Sequence, residues 1–387
     1  VSPPAPGRVA EASTRVAELA AELAATASRP WTVMEVCGGQ THAILRWGLD
    51  QLLPPGLRLI HGPGCPVCVT PAERIDAALA LAARPEVILC SYGDMLRVPG
   101  GRAAGADAAA ATDLLGARAA GGDVRLLTSP LEALALAQGA PERELVFLAV
   151  GFETTAPATA LLLRQARALG LTNLSVLLAH VRVAPAMEAL LLEPTNQVQG
   201  FLAAGHVGAV MGTAELHQLV QRHRVPVVVT GFEPLDVMAG LLRLVQLLEA
   251  GTPALANAYG RVVRERGNAA AQALLAEVFT VVDQPWRGLG PIAGGGLALV
   301  PAYRGFDALE RFLPIPAHPT PAHLAHPEQA ASSANPCISG PILQGRALPA
   351  ECPAFGRACT PEHPLGAPMV SSEGTCAAYH RYRRQAA

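Results

Sequence analysis

The sequence predicts an α/β protein: two α/β units built on parallel sheets and facing a cleft, then a C-terminal domain that is mainly irregular and helical. Three observations lead there. Short β-rich apolar runs alternate with Ala/Leu-rich helical stretches as far as Thr230, the pattern of strands covered by helices on both faces. At 387 residues the chain exceeds what one compact core accommodates. Beyond Gly251 the alternation gives way to Gly/Pro-rich sequence, and four of the eight cysteines fall in the last 51 residues. The domains expected are 1–130, 131–250 and 251–387.

The first element is an amphipathic helix over Gly7 to Ala27, with Val9, Val16, Leu19 and Leu23 at helical spacing. Predicted strands follow at 32–36, 57–60, 86–90, 124–127, 145–150, 174–178, 207–211 and 225–230. Helical segments such as 72–83 and 158–169 separate most of them. Eight strands suggest two consecutive groups of four, divided near Ser129–Arg143. Two of the strands run into a Gly-Phe-Glu turn, a hint of duplication that places Glu153 and Glu233 at equivalent strand ends. Helical stretches at 254–265 and 269–278 come next. Residues 317–336 read as an exposed connection, in which His318, His323 and His326 are expected to be solvated.

Composition narrows the function. Apolar residues make up 51% of the chain and charged residues 16%, enough for well-buried cores and unlike a disordered protein. Net charge is −2, and basic residues cluster only at Arg381, Arg383 and Arg384, which argues against a nucleic-acid partner. No apolar run is long enough to cross a bilayer; Leu241 to Leu248 is broken by Arg243 and Gln246. Residues 1–8 lack the charged and apolar regions of a secretory signal. The expected compartment is cytoplasmic, where clustered cysteines bind metal or do redox work more often than they staple a fold.

Four segments carry chemistry. In Met34-Glu35-Val36-Cys37-Gly38-Gly39-Gln40-Thr41-His42, a cysteine ends the first strand at the carboxyl edge, where open α/β sheets bind ligands. The two glycines let a ligand approach the main chain, and His42 is placed to adjust the thiolate; a buried cysteine beside an ordinary turn explains the segment equally well. In the second segment, Cys65-Pro66-Val67-Cys68 precedes Thr70, Pro71 and Glu73, which have the arrangement of a capping box. A dithiol just ahead of a helix N-terminus favours the thiolate and reversible disulfide chemistry. Half of a zinc site is the alternative, but no second CxxC exists in the chain.

Third come polar residues at other strand ends: Ser91, Tyr92, Asp94, Glu153, Thr154, His180, Glu233 and Asp236. Each taken singly is ordinary structure, and Thr154 or Thr155 is a plausible helix cap; Cys90 reads as core. Fourth is the tail, Cys337, Cys352, Cys359 and Cys376, with gaps of fourteen, six and sixteen residues. Neighbouring Pro and Gly provide the turns that gather four sulfurs. The set suits [4Fe–4S] or Zn²⁺, and spacing does not decide between them. A redox CxxC in the same chain favours the cluster.

Together the stretches MEVCGGQTH, GPGCPVCVTP, GFETTAP, TGFEPLD, ECPAFGRACTP and VSSEGTCAAYHRY resemble the HypD family of hydrogenase maturation factors, in the family's order and over nearly the whole chain. The resemblance implies a scaffold for the Fe(CN)2CO centre of [NiFe]-hydrogenase rather than a conventional turnover enzyme. It implies that Cys37 holds the iron jointly with a HypC-type chaperone, and that cyanide arrives from a HypE-type donor. Cys65 and Cys68 would be the redox pair, and Cys337, Cys352, Cys359 and Cys376 would hold a [4Fe–4S] cluster packed near that pair. His42, Thr154 and Glu373 are candidates for supporting roles around iron or partner. No membrane or nucleic-acid partner is expected, and the chain alone is expected to be a monomer. A general cluster-dependent thiol–disulfide reductase and a zinc-stabilised interaction protein are the competing readings.

Overall fold

A computed structural model of the protein describes residues 6–101, 111–312 and 336–383, with side chains from Ala12 on. The Val9 side chain and His318, His323 and His326 lie outside the described residues. Among those described, strands run at β1 (Trp31–Glu35), β2 (Leu57–His61), β3 (Val87–Ser91), β4 (Val124–Leu126), β5 (Glu144–Gly151), β6 (Leu174–His180), β7 (Gly200–Ala204), β8 (Val227–Thr230), β9 (Leu255–Asn257), β10 (Phe279–Trp286) and β11 (Gly290–Leu299).

They form two parallel sheets and a hairpin. One sheet has the order β2-β1-β7-β8-β9, the other β4-β3-β5-β6, and β10 pairs antiparallel with β11. The α/β reading holds, but the sheets are not consecutive groups of four strands. β1 pairs with β7 through Val33–Gly200, Met34–Phe201 and Glu35–Leu202, a partner far along the chain. Strand pairing of this kind is fixed by burial of both sheet faces, which local periodicity does not report.

Two compact units result, and each is discontinuous. The first comprises Val1–Gly64, Met187–Asn268 and the chain from Ala378; the second comprises Cys65–Ala186 and Ala269–Ala377. In the first unit, helix Pro6–Thr26 buries Val16, Leu19 and Leu23 against helix Pro234–Glu249, which covers β7 and β8. Leu241, Leu244, Val245 and Leu248 of that second helix are core residues, so the apolar run is buried against a sheet. No helix among the described residues is long and apolar enough to cross a membrane. At its end, Glu249 accepts bonds from Ser28 N, Ser28 Oγ and Trp31 Nε1, which pull its carboxyl down to about 2. In the second unit, Val146 and Leu148 of β5, Leu177 of β6 and Leu81 of helix Ala72–Ala82 form the core.

Three local expectations are corrected. Residues 207–211 belong to helix Gly205–Met211; the strand is the run just before it, Gly200–Ala204, which is buried throughout between β1 and β8. A five-residue apolar run has no resolvable period, so its type follows from where it is buried. Residues 254–265 are not helical: after edge strand β9, Asn257 Oδ1 accepts from Tyr259 N and its Nδ2 donates to Val263 O, an Asx turn that competes with the helix. Residues 279–299, read as irregular, form the β10–β11 hairpin, whose alternation is masked by Gly294, Gly295 and Gly296 and by a register irregularity between Val282 and Gln284.

Candidate functional site

The first unit presents Cys37 at the carboxyl edge of its sheet. β1 lies between β2 and β7, so strand order reverses there, which is where such sheets bind ligands. Cys37 is buried and extended (φ −150°, ψ 118°) and caps helix Gly38–Trp47. The fully buried Glu35 carboxylate fixes this turn. Its Oε2 accepts the Cys37 N–H at 2.8 Å, while Oε1 accepts from Thr41 Oγ1 and lies 2.6 Å from His61 Nδ1. Gly38 N donates to Gly64 O, and Gly64 packs so closely that a Cβ on it would fall 2.1 Å from Cys37 N.

His206 follows β7 and brings its ring to the Cys37 sulfur, 3.8 Å from Nε2 and 3.9 Å from Nδ1. Phe232, following β8, stacks on that ring at 5.0 Å and 9°. Burial lowers the His206 pKa to about 4, so the imidazole is neutral at pH 7. Gln40 is also fully buried and donates from Nε2 toward the carbonyls of Ala203, Thr230 and Gly231, tying the helix to the ends of β7 and β8. His42 stands edge-on to Tyr382, ring centroids 5.3 Å apart and Nε2 3.3 Å from the Tyr382 Oη. His206 and Phe232 were missed in the sequence because 207–211 reads as a strand; the Gly205-His206 pair ahead of it was the signal available.

The second unit holds the other seven cysteines. Cys65 caps the single-turn helix Pro66–Val69 and its Sγ accepts the Cys68 N–H at 3.4 Å. The expected capping box is absent. Thr70 Oγ1 donates back to Pro66 O, and Pro71 precedes helix Ala72–Ala82 with no side-chain cap. One cysteine therefore caps a helical turn and the other lies inside it. Both thiols are buried. Burial pushes the Cys68 thiol up, and the neighbouring Cys65, Cys376 and Glu373 push it the same way.

The tail gathers its cysteines in a small core with Ile342, Ala354 and Met369, where Cys352, Cys359 and Cys376 are buried and Cys337 is half-buried. Gly356 (φ +67°) closes the 352–359 turn, donating to Cys359 O. Leu365 N donates to Cys359 Sγ at 3.3 Å, and a Cβ at Gly366 would fall 2.4 Å from Cys337 Sγ. Burial raises the Cys376 thiol, and the charges of Cys337, Cys359 and Cys352 raise it further. Burial raises the Cys337 thiol as well, with Cys352 and Cys359 adding to the effect; a bound metal centre would supply the positive charge that such thiolates need. Among the described residues no three His, Cys, Asp or Glu side chains converge at single-ion spacing; a polynuclear cluster sets its own atoms between the thiolates. The donor set, the thiol-accepted N–H and the close glycine fit such a group.

The CPVC helix packs against the turn Ala367–Met369, which places the two cysteine motifs side by side within this unit. Arg97 clamps the tail there, donating to Pro361 O and Val370 O. Glu373 stands near enough to Cys68 for its charge to act on the thiol. Thr154 sits half-buried in the turn after β5, where Thr155 precedes helix Ala156–Ala168 without a side-chain cap.

Three of the remaining strand-end polar residues have partners within the fold. Buried Glu153 accepts from Val183 N, Asp236 pairs with Arg261, and fully buried His180 contacts Thr159 Oγ1 at 2.9 Å. Cys90 is core, its thiol pushed up by burial to about 12.

The HypD family, described as "Hydrogenase formation hypA family", matches residues 12–383. The chain is 44% identical over 382 residues to the hydrogenase maturation factor HypD of Escherichia coli (strain K12), covering 98% of this chain and 97% of that protein. It is 44% identical over 368 residues to the HypD of Rhodobacter capsulatus (95% and 93% covered). With the hydrogenase expression/formation protein HupD of Azotobacter chroococcum it shares 46% over 376 residues (95% and 94%). Matches of this length and identity take in every cysteine motif described above, and the chain belongs to the HypD family of hydrogenase maturation factors.

Proposed function

We propose that this chain is the scaffold on which the Fe(CN)2CO unit of [NiFe]-hydrogenase is assembled, and that it also supplies reducing equivalents. The observation that carries this reading is the packing of the CPVC helix against the Ala367–Met369 turn of the tail, which brings Cys376 within electrostatic reach of Cys68. Cys37 is the thiolate that receives the iron cargo, jointly with a cysteine of a HypC-type chaperone. A soft iron bearing cyanide calls for thiolate ligands. Glu35 holds the Cys37 turn, and neutral His206 beside the sulfur adds no positive charge to compete with the iron.

A HypE-type partner delivers cyanide, and its release consumes electrons. When bound by Cys337, Cys352, Cys359 and Cys376, a [4Fe–4S] cluster supplies electrons singly. Cys65 and Cys68 hold them as a pair, because forming their disulfide releases two electrons and two protons. The Cys65 sulfur already accepts the Cys68 N–H, which keeps it turned toward its partner.

The test is an anaerobic absorption spectrum with iron, sulfide and zinc analysis, run beside a Cys352→Ala variant. A brown protein with about four irons and four sulfides, lost in the variant, is expected for such a cluster. Colourless protein carrying zinc removes the electron source and leaves a binding role. Co-purification of Cys37→Ala with a HypC-type partner then asks separately whether iron on the complex depends on this thiol.

A further inference from the structure

The chain from Ala378 on belongs to the first unit, and it packs there against the elements that present Cys37. Tyr379 and Tyr382 lie on helix Thr375–Tyr382, and Arg383 N donates to Tyr379 O at 2.8 Å, so Arg383 continues the helical turn. Residues at i, i+3 and i+4 share one helix face. The Tyr379 ring stands edge-on to His61, centroids 5.7 Å apart at 80°. Tyr382 Oη lies 3.3 Å from His42 Nε2. Arg383 makes a bidentate pair with Asp50, its Nε donating to Oδ2 at 3.0 Å and its Nη2 to Oδ1.

These three partners surround the turn that carries the thiol. His61 ends β2 and lies 2.6 Å from one oxygen of Glu35, whose other oxygen accepts the Cys37 N–H at 2.8 Å. His42 belongs to helix Gly38–Trp47, which Cys37 caps. Asp50 belongs to the tight turn Leu49–Leu52, directly after the Gly48 that ends that helix. A helix of 10 residues is marginal on its own, so its place is set by what packs against it. The Arg383 and Asp50 side chains are only 22% and 25% exposed, which together with the paired bonds makes this contact stronger than an ordinary surface ion pair. Burial raises the Tyr379 phenol to about 12, so the ring beside His61 stays uncharged.

We propose that Tyr379, Tyr382 and Arg383 are positioning residues for the Cys37 thiol. Their shared helix face fixes both ends of the Cys37 helix and the Glu35–His61 pair that anchors the Cys37 N–H. This rests on the reading of Cys37 as the thiolate that receives iron, given above.

The experiment compares the full chain as wild type, Tyr379→Leu, Tyr382→Phe, Arg383→Gln and Arg383→Lys. Native-state hydrogen exchange and iodoacetamide labelling of Cys37 at one pH are both read by mass spectrometry. Segment 38–47 reports the Cys37 helix, and 234–249, the helix covering β7 and β8, reports the rest of the unit. Tyr382→Phe and Tyr379→Leu are expected to speed exchange in 38–47 and labelling of Cys37 about fivefold each, the worth of one hydrogen bond or one aromatic pair. Exchange in 234–249 should not change. Arg383→Gln should act likewise, and Arg383→Lys, which keeps the charge but loses the planar fork, should fall between it and wild type. Unchanged exchange in 38–47, or equal acceleration in both segments, overturns the proposal. Tyr382→Phe removes a single oxygen, and its result decides where another variant does not fold. Iron on the complex co-purified with a HypC-type partner is measured in parallel. Iron lost from the variants whose 38–47 segment loosens supports positioning; iron held at the wild-type level despite loosening makes the face mere scaffolding and overturns it. Equal iron on wild type and Cys37→Ala defeats the cargo reading instead, and exchange and labelling then decide the placement of the thiol by themselves.

Discussion

The sulfur of Cys37 stands 3.8 Å from Nε2 of His206, across the point where the strand order of the first sheet reverses. Stacking on Phe232 pins the imidazole, and burial keeps it neutral down to about pH 4. The pair makes a thiol site with a polar neighbour that carries no charge. Replacing His206 with Ala is expected to weaken iron retention on the complex with a HypC-type partner by about tenfold, the size of effect seen when a group supporting a metal ligand is lost. Iron analysis of the co-purified complex checks it, with circular dichroism confirming the fold.

Gly64 permits the turn that presents Cys37. A methyl at this position meets backbone atoms of Val36 and Cys37 at 2.1–2.4 Å, and backbone has little room to yield. Gly64→Ala should therefore cost about 2 kcal/mol or more and lower iron retention together with stability. Gly139→Ala, with nothing within 4 Å of the added methyl, should leave both unchanged. Urea unfolding of the two variants side by side makes the comparison.

Glu35 serves three donors from inside the core. Truncation to Ala leaves buried Cys37 N, Thr41 Oγ1 and His61 without their acceptor, and is expected to destabilise by roughly 3–5 kcal/mol. Glu35→Gln retains the shape and one acceptor oxygen, so its cost should be about half of that. Chemical denaturation measures both, and equal losses in the two variants would contradict the assignment.

His180 makes stability depend on pH in a stated direction. Its burial lowers the folded pKa from 6.5 to about 4, so the unfolded chain binds the proton more readily. The contribution is fully present above about pH 6.5 and is lost as pH falls toward about 4. The difference between pH 7 and pH 5 is roughly 2 kcal/mol for this one group. Denaturation midpoints of wild type and His180→Gln should converge as the pH is lowered over that interval; parallel profiles would assign the pH dependence elsewhere.

The sequence by itself determined the α/β class, most of the strands up to Thr230, the helix over 6–26 and the position of Cys37 at a strand's carboxyl end. These are local properties: an alternation of apolar periods, a helical stripe of Val16, Leu19 and Leu23, and two glycines directly after a cysteine. The cysteine motifs were equally legible, because a thiol's chemistry travels with the residue type. Tertiary structure alone decided that β1 would pair with β7, so that His206 and Phe232 arrive at the Cys37 sulfur. It alone brought Glu373 and Cys376 within electrostatic reach of Cys68, and carried Arg287 between Val69 and Gly340 on a hairpin that its glycines disguise. Each of those placements depends on which apolar faces are buried together at long sequence separation, and no local pattern encodes that choice.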